Sequence, residues 1–296
     1  MKSFFARNVR VLAVCLVAVV AASAGAVTPD PGSAPATRPV TMPLMLVLQG
    51  PIEQGAMVVG HTTPGAAVTI GERAVSVAAD GTFVFGLDRD APRQVTVRVS
   101  TAAVAPGGTG MSATLDVRRR KYNIQRVKGI SERIMNPTVE DLVRIDAENA
   151  QVARARSRDD DRLDFLQRFI WPADGPITGV FGSQRYYNGV PKRPHYGVDM
   201  GVPVGTPVQA PAGGVVTLAH PDMFYSGGTV IIDHGHGISS TLMHLSEVLV
   251  KEGDRVEQGQ LVAKSGASGR ASGPHLDWRM NWFGEHIDAR KLVSPR

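Results

Sequence analysis

The chain has 296 residues, a formal net charge of +5, and 43% hydrophobic and 20% charged residues. That length suits about two domains, and the composition is that of a globular chain rather than a disordered or fibrous one. A single cysteine excludes a disulfide framework and a cysteine-built metal site, so metal ligands must come from His, Asp and Glu. The modest positive excess suits an anionic partner (a nucleic acid, a membrane surface or an acidic wall polymer) without choosing among them. Glycine (32) and proline (20) are abundant and aromatics few, which favours short strands and turns over long helices.

Residues 1–26 read as an export signal. Lys2, Arg7 and Arg10 precede an apolar run from Val11 to Val20, and Ala22-Ser23-Ala24 and Ala24-Gly25-Ala26 are small-x-small cleavage sites. The run is short of the ~20 apolar residues of a membrane span. Removal of the signal is therefore expected to leave a mature chain with no transmembrane segment, exported to periplasm or cell wall. Cys15 follows Val14 in mid-run, which argues against lipid attachment. Residues 27–42, rich in Pro, Ala, Thr and Gly, read as a flexible leader.

From 43 to 118, short β runs are separated by turn signals. The predicted strands are Leu44–Leu48, Ala66–Ile70, Ala74–Val77, Thr82–Phe85 and Gln94–Val99, with Pro64-Gly65, Asp80-Gly81 and Pro106-Gly107-Gly108 between them. Asp80-Gly81 suits a hairpin because both residues tolerate positive φ. With Gly65-Ala66-x-Val68 and Asp80-Gly81-x-Phe83, the segment resembles a small bacterial immunoglobulin-like β-sandwich, which implies a cell-envelope protein as its partner. His61 stands alone and reads as a surface or turn histidine.

Residues 119–170 read as a helical connector. Thr138 can cap a helix in which Asp141 favours the dipole, and Val139, Leu142, Ile145 and Val152 form a partial apolar stripe. Arg154 to Arg162 is almost wholly charged. From 171 to 296 the texture returns to strands and tight turns.

This last segment carries the chemistry. From His275 to Trp282 the residues alternate strictly, with His275, Asp277, Arg279 and Asn281 on one side and Leu276, Trp278, Met280 and Trp282 on the other. A period of two is a β-strand with one buried face, and it sets His275 beside Asp277. If the segment His195 to Asp199 is extended, residues four apart also share a face. His195, Asp199 and one later residue would then supply the three protein ligands of a catalytic metal site. A lone His-x-x-x-Asp is more often a surface pair.

Here the motifs come in order. Phe181-Gly182 and Arg185 are followed by His195-x-Gly197-x-Asp199, Gly205-Thr206-Pro207-Val208, Asp233-His234-Gly235, His244-Leu245-Ser246, Gly253-Asp254-x-Val256, Gly266-x-Ser268-Gly269-Arg270 and Gly273-Pro274-His275-Leu276. The series resembles the lysostaphin-type, or LytM-like, zinc metallopeptidases over roughly the last 120 residues. The resemblance implies a mostly β chain ending in an antiparallel-sheet metallopeptidase domain, Zn2+ as cofactor, and peptidoglycan rather than nucleic acid as partner. It carries His195 and Asp199 over as metal ligands, and His244 and His275 as catalytic, sharing the base and stabilising roles without saying which takes which. The family's second histidine of the last motif is here Asp277. A carboxylate can bind zinc, but an added negative charge is expected to weaken the metal as a Lewis acid and to favour harder ions. Asn188 and Arg185, on the loop before His195, are candidates for shaping the substrate groove.

The reading is thus an exported zinc endopeptidase cutting peptide bonds in peptidoglycan cross-links or stems. The alternative is a LytM-like domain of weak or no activity that binds wall or activates an amidase. A lipoyl or biotinyl carrier, suggested by Val250 to Val256 with Gly259-Gln260, lacks the carrier lysine between apolar neighbours and leaves the histidines unexplained. His220, His234, His236 and His286 have no partner at useful spacing; His234 and His236, flanking Gly235 in a hairpin turn, read as structural or exposed, His220 as a loop residue and His286 as lying beyond the last strand.

Overall fold

The computed structural model describes Val14–Val17 and residues 43–101, 110–128 and 132–296. Of the expected export signal, Val14–Val17 is a strand paired antiparallel with Met45–Gln49. The remainder of residues 1–26, and residues 27–42, lie outside the described residues. The fold is mostly β, and among the described residues no helix is long and apolar enough to cross a membrane.

The chain packs as two compact units. One comprises Met1–Gly50, Val59–Phe83 and Val95–Leu115, the other Pro51–Val58, Val84–Gln94 and Asp116–Arg296. In the first, Met45–Gln49 pairs with Met57–Thr62, and a four-stranded sheet runs in the order Arg73–Val75, Ala66–Ile70, Gln94–Thr101, Gly110–Asp116. Ala66, Val68 and Ile70 alternate with less buried neighbours, the period-two pattern of a half-buried strand. The strands Met57–Thr62 and Gly110–Asp116 escape prediction. Their alternation is weak, with Gly60 and His61 in one and Ser112 in the other. His61 sits in a strand rather than a turn and bonds through Nδ1 to Thr82 Oγ1 at 3.1 Å.

In the second unit a ten-stranded sheet holds the path Ile177–Gly179, Gly197–Met200, Leu276–Trp282, Ile238–Val248, Gly227–Asp233, Gly214–Met223, Arg255–Val256, with antiparallel pairings along it. Six of the seven residues of Leu276–Trp282 are buried. The expected single buried face is therefore exceeded, because the strand lies inside the sheet and both of its faces are covered.

The helix Val139–Arg156 starts at the expected cap. Thr138 Oγ1 accepts from Asp141 N at 3.1 Å and Asp141 Oδ2 accepts from Thr138 N at 3.3 Å, a reciprocal capping box. The buried stripe differs from the expected one. Val139 and Leu142 are exposed, whereas Ile145, Glu148 and Ala155 are buried, with Val152 packed beside Ala155, Leu218, Met223 and Ile231. The sheet, not the first turn, selects the face. Glu148 is tolerated there because it accepts from Phe224 N at 2.8 Å and Arg144 Nε at 2.7 Å.

Of the two expected alternatives for His234 and His236, structural or exposed, the fold has the first, and both are buried. His234 Nδ1 donates to the Gly213 carbonyl at 2.7 Å, Nε2 bonds Ser240 Oγ at 2.6 Å, and the ring meets Phe169 edge-on. Burial pushes its pKa down from 6.5 to about 4. With the folded pKa depressed, protonation favours the unfolded chain. The neutral ring therefore supports the fold fully above pH 6.5, and that support is lost as pH falls towards 4. Thermal unfolding across this window should show a loss of about 3 kcal/mol at most from this group, and His234→Gln should flatten the slope. An unchanged slope in the variant would remove His234 from the acid sensitivity.

Candidate metal centre

The site grows from one register. On neighbouring antiparallel strands Asp199 lies directly opposite Asp277, and Asp277 lies opposite Met243 on the next. Directly opposed residues project to the same face, and like charges so placed repel. The strands can hold two carboxylates there only if positive charge meets them. Each has its own guanidinium: Arg185 Nη2 lies 2.6 Å from Asp199 Oδ2, and Arg279 Nη2 lies 2.8 Å from Asp277 Oδ2. Arg185 is itself held by Gln125 Oε1 and the Tyr187 hydroxyl, each at 3.2 Å.

His195 completes a triangle. Its backbone is clamped on both sides, its N–H donating to the Ser183 carbonyl at 2.8 Å and its carbonyl accepting from Gly182 N at 2.7 Å. The ring's Nε2 lies 2.9 Å from Asp199 Oδ1 and 3.3 Å from Asp277 Oδ2. Burial alone would lower its pKa, but Asp277 and Asp199 together raise it. Burial alone would likewise raise the Asp277 pKa, yet Arg279 and His195 hold it well below the usual carboxylate range. Asp199, opposed by burial and by Asp277, is also lowered, through His195 and Arg185.

The ligand atoms of His195, Asp199 and Asp277 all lie within 4.8 Å of one another, and all three residues are buried. Asp199 Oδ1 is buried without a well-formed hydrogen bond, although His195 Nε2 lies 2.9 Å away. An orphaned buried oxygen in a nitrogen-and-two-carboxylate set fits a zinc-type cation. His195 Nδ1 is buried without the acceptor that a ligating histidine ordinarily has behind it.

Two further histidines flank the triangle, with ring centroids 4.7 Å apart. His244 stands at a β-bulge. Leu242 pairs with Val230 and Leu245 with Gly228, so two residues oppose one, and His244 takes a positive φ of 63°. Its Nδ1 donates to the Ser268 carbonyl at 2.9 Å, and burial depresses its pKa to about 4. His275 Nδ1 donates to the Gly273 carbonyl at 2.7 Å, and its Nε2 lies 3.9 Å from Asp199 Oδ1. In a neutral ring held this way the proton sits on Nδ1 and Nε2 keeps a lone pair.

The structure thus brings together His195, Asp199, Asp277, His244, His275 and Arg185. It does not bring Asn188 to them. Asn188, with φ of 49°, and Gly189, with φ of 87°, form the turn between the strands Gln184–Tyr187 and Val190–Pro191, and Asn188 is exposed at its tip. Sequence reasoning missed Arg279 as the anchor of Asp277, although the alternation had put both on one face. It also missed Arg156. That residue, in the run read only as almost wholly charged, is half-buried, donates to Thr241 Oγ1 at 3.0 Å, and has its pKa lowered by burial to about 10.

Residues 193–289 match the model described as Peptidase family M23. The peptidoglycan DD-endopeptidase ShyA of Vibrio cholerae is 39% identical over 140 residues, covering 45% of this chain and 32% of its own. The DD-carboxypeptidase/endopeptidase Mpg of Neisseria meningitidis is 35% identical over 103 residues, covering 35% of this chain and 24% of its own. The chain therefore spans a third or less of these curated relatives. A crystal structure of an M23-type peptidase candidate from Pseudomonas aeruginosa superposes with a TM-score of 0.64 at 29% identity, covering 82% of this chain and 95% of that one.

Two glycines make room for the carboxylates. A Cβ at Gly179 would land on the Asp199 carboxylate, and one at Gly197 on that of Asp277. Gly179→Ala should destabilise the fold by ~1–3 kcal/mol, as overpacking does, and displace Asp199. An unaltered melting temperature would show that the carboxylate has space to move.

Proposed function

We propose that this chain is an exported zinc metalloendopeptidase that hydrolyses peptide bonds in peptidoglycan cross-links or stems. The observation that carries the reading is the convergence of His195, Asp199 and Asp277 within 4.8 Å, beside two histidines whose Nδ1 atoms are held by backbone carbonyls. The M23 match and the peptidoglycan endopeptidases among the relatives support the reaction class and the substrate.

His195 Nε2, one oxygen of Asp199 and one of Asp277 would hold the zinc. When bound, zinc polarises the scissile carbonyl and lowers the pKa of water. His244 is assigned the general base, because burial keeps it neutral and Ser268 pins its proton on Nδ1, leaving Nε2 to accept one from the attacking water. His275 is assigned to the oxyanion and the leaving amine, to which its Nε2, once protonated, is the donor. Arg185 lines the cleft and holds Asp199. Asn188 acts only through the turn that places Arg185.

In the same reading, 1–26 is a removed signal and 27–42 a leader, and 43–118 is an immunoglobulin-like module for a cell-envelope partner. Residues 119–170 connect it to the catalytic domain at 171–296, and the protein works in periplasm or wall. Retention of every site position except the one filled by Asp277 speaks for an enzyme over a metal-free regulator.

Metal analysis of the purified chain should find zinc. Asp277→Ala should lose it, by more than the ~10–100-fold that outer-shell losses cost, and Asp277→His should keep it. His244→Ala should retain zinc yet digest purified sacculi ~100–10,000-fold more slowly. Undiminished zinc in Asp277→Ala would show that Asp277 is not a ligand. A folded, metal-free wild type without activity on sacculi would sink the enzyme.

A further inference from the structure

Three guanidinium groups gather at the cleft, and two of them are matched. Arg185 meets Asp199 and Arg279 meets Asp277. The third, Arg270, has no hydrogen-bond or ion-pair partner for its side chain among the described residues. Its Cζ lies 5.1 Å from the Tyr187 ring centroid and 4.8 Å from that of Tyr225, and its backbone N donates to the Tyr225 carbonyl at 2.7 Å. Contacts with the faces of aromatic rings steady a guanidinium but give its N–H donors no acceptor. Arg156, half-buried with a hydrogen bond to Thr241 Oγ1, lines neither cleft.

Arg270 lines both the cleft holding Asp199 and His275 and the neighbouring one holding His244. It therefore sits where a bound peptide must pass the reacting groups. Burial and the like charges of Arg279 and Arg185 depress its pKa, so its surroundings disfavour the cation they contain. Among the residues lining the two clefts the only carboxylate is Asp199, already engaged. A half-buried fork of donors lacking an acceptor, in a cleft of positive excess, suits a planar bidentate anion.

We propose that Arg270 is a specificity residue that binds a free carboxylate of the substrate peptide next to the bond being cut. The inference rests on the peptidase reading above. The carboxylate can come from an acidic side chain or from a chain terminus, and the shared chemistry is a carboxylate within reach of the guanidinium.

The test uses the full-length zinc-loaded chain and short stem-like peptides with one acidic side chain and a C-terminus. Each peptide is made with both carboxylates free, with the side chain amidated, or with the terminus amidated. Binding is read by calorimetry and cleavage by chromatography. Wild type should bind the fully free form ~10–100-fold tighter than one of the two amides, the scale of a charge-assisted hydrogen bond, and the amide that loses affinity identifies the source. Arg270→Gln should bring that ratio to about one. Arg270→Lys, which keeps the charge but not the fork, should retain part of it and serves if the glutamine variant does not fold. Equal binding of all three peptides by wild type, or discrimination retained in Arg270→Gln or undiminished in Arg270→Lys, overturns the proposal. Intact discrimination without cleavage of any peptide would instead overturn the peptidase reading and leave the recognition standing.

Discussion

The second unit is organised around one electrostatic constraint. Asp199 and Asp277 face each other across adjacent strands inside a covered sheet. Two buried like charges cannot persist there unpaired. The chain meets the constraint with a guanidinium for each carboxylate, a histidine between them, and glycine at Gly179 and Gly197 to clear the space. Asp199 meets Arg185 through Oδ2 and His195 through Oδ1, whereas Asp277 meets Arg279 and His195 through the same Oδ2.

The rest of the site depends on departures from regular strand geometry. A straight strand would carry the alternation of Ile238–Val248 past residue 244 unbroken. The bulge opposite Thr229 interrupts it and re-aims His244, at the cost of a positive φ that a non-glycine residue rarely adopts. The carbonyls of Ser268 and Gly273 then fix which ring nitrogen of each histidine carries the proton. Such backbone irregularity at a reacting group is a common feature of catalytic sites. Here its consequence is concrete, since without the bulge the His244 ring would leave the cleft.

What could be read in the sequence divides by range. Local signals were legible. Thr138 and Asp141 formed their box, the alternation from His275 to Trp282 became a strand, and Asn188-Gly189 became a turn. The ordered motifs brought His195, Asp199, His244, His275 and Asp277 to one place. Features made by distant neighbours were not legible. The helix buries Ile145 and Ala155 because Leu218 and Ile231 lie under them, and nothing near Val139 announces that. For His234 the sequence left structural and exposed roles open, and Phe169 and Gly213, which enclose it, decide between them. Arg270 was visible only as part of a glycine-rich run. Its meaning comes from Tyr187 and Tyr225, far from it in sequence.

The carboxylate at 277 is where sequence and structure reasoning pull apart most usefully. From sequence, replacing a neutral ligand with an anion adds negative charge and should blunt the metal as a Lewis acid. In the fold that charge does not stand alone. The Arg279 guanidinium bonds Asp277 Oδ2, the same oxygen that faces His195. A carboxylate oxygen has more than one lone pair and can serve both a guanidinium and a cation. The guanidinium draws charge from the ligand atom, and the two arginines cancel the two aspartates one for one. The field felt at the triangle is then closer to that of a site with fewer anions than its ligand list suggests. Asp277 and Arg279 should accordingly be treated as one functional unit, two residues apart on one strand face, in which the charge of the first is set by the presence of the second.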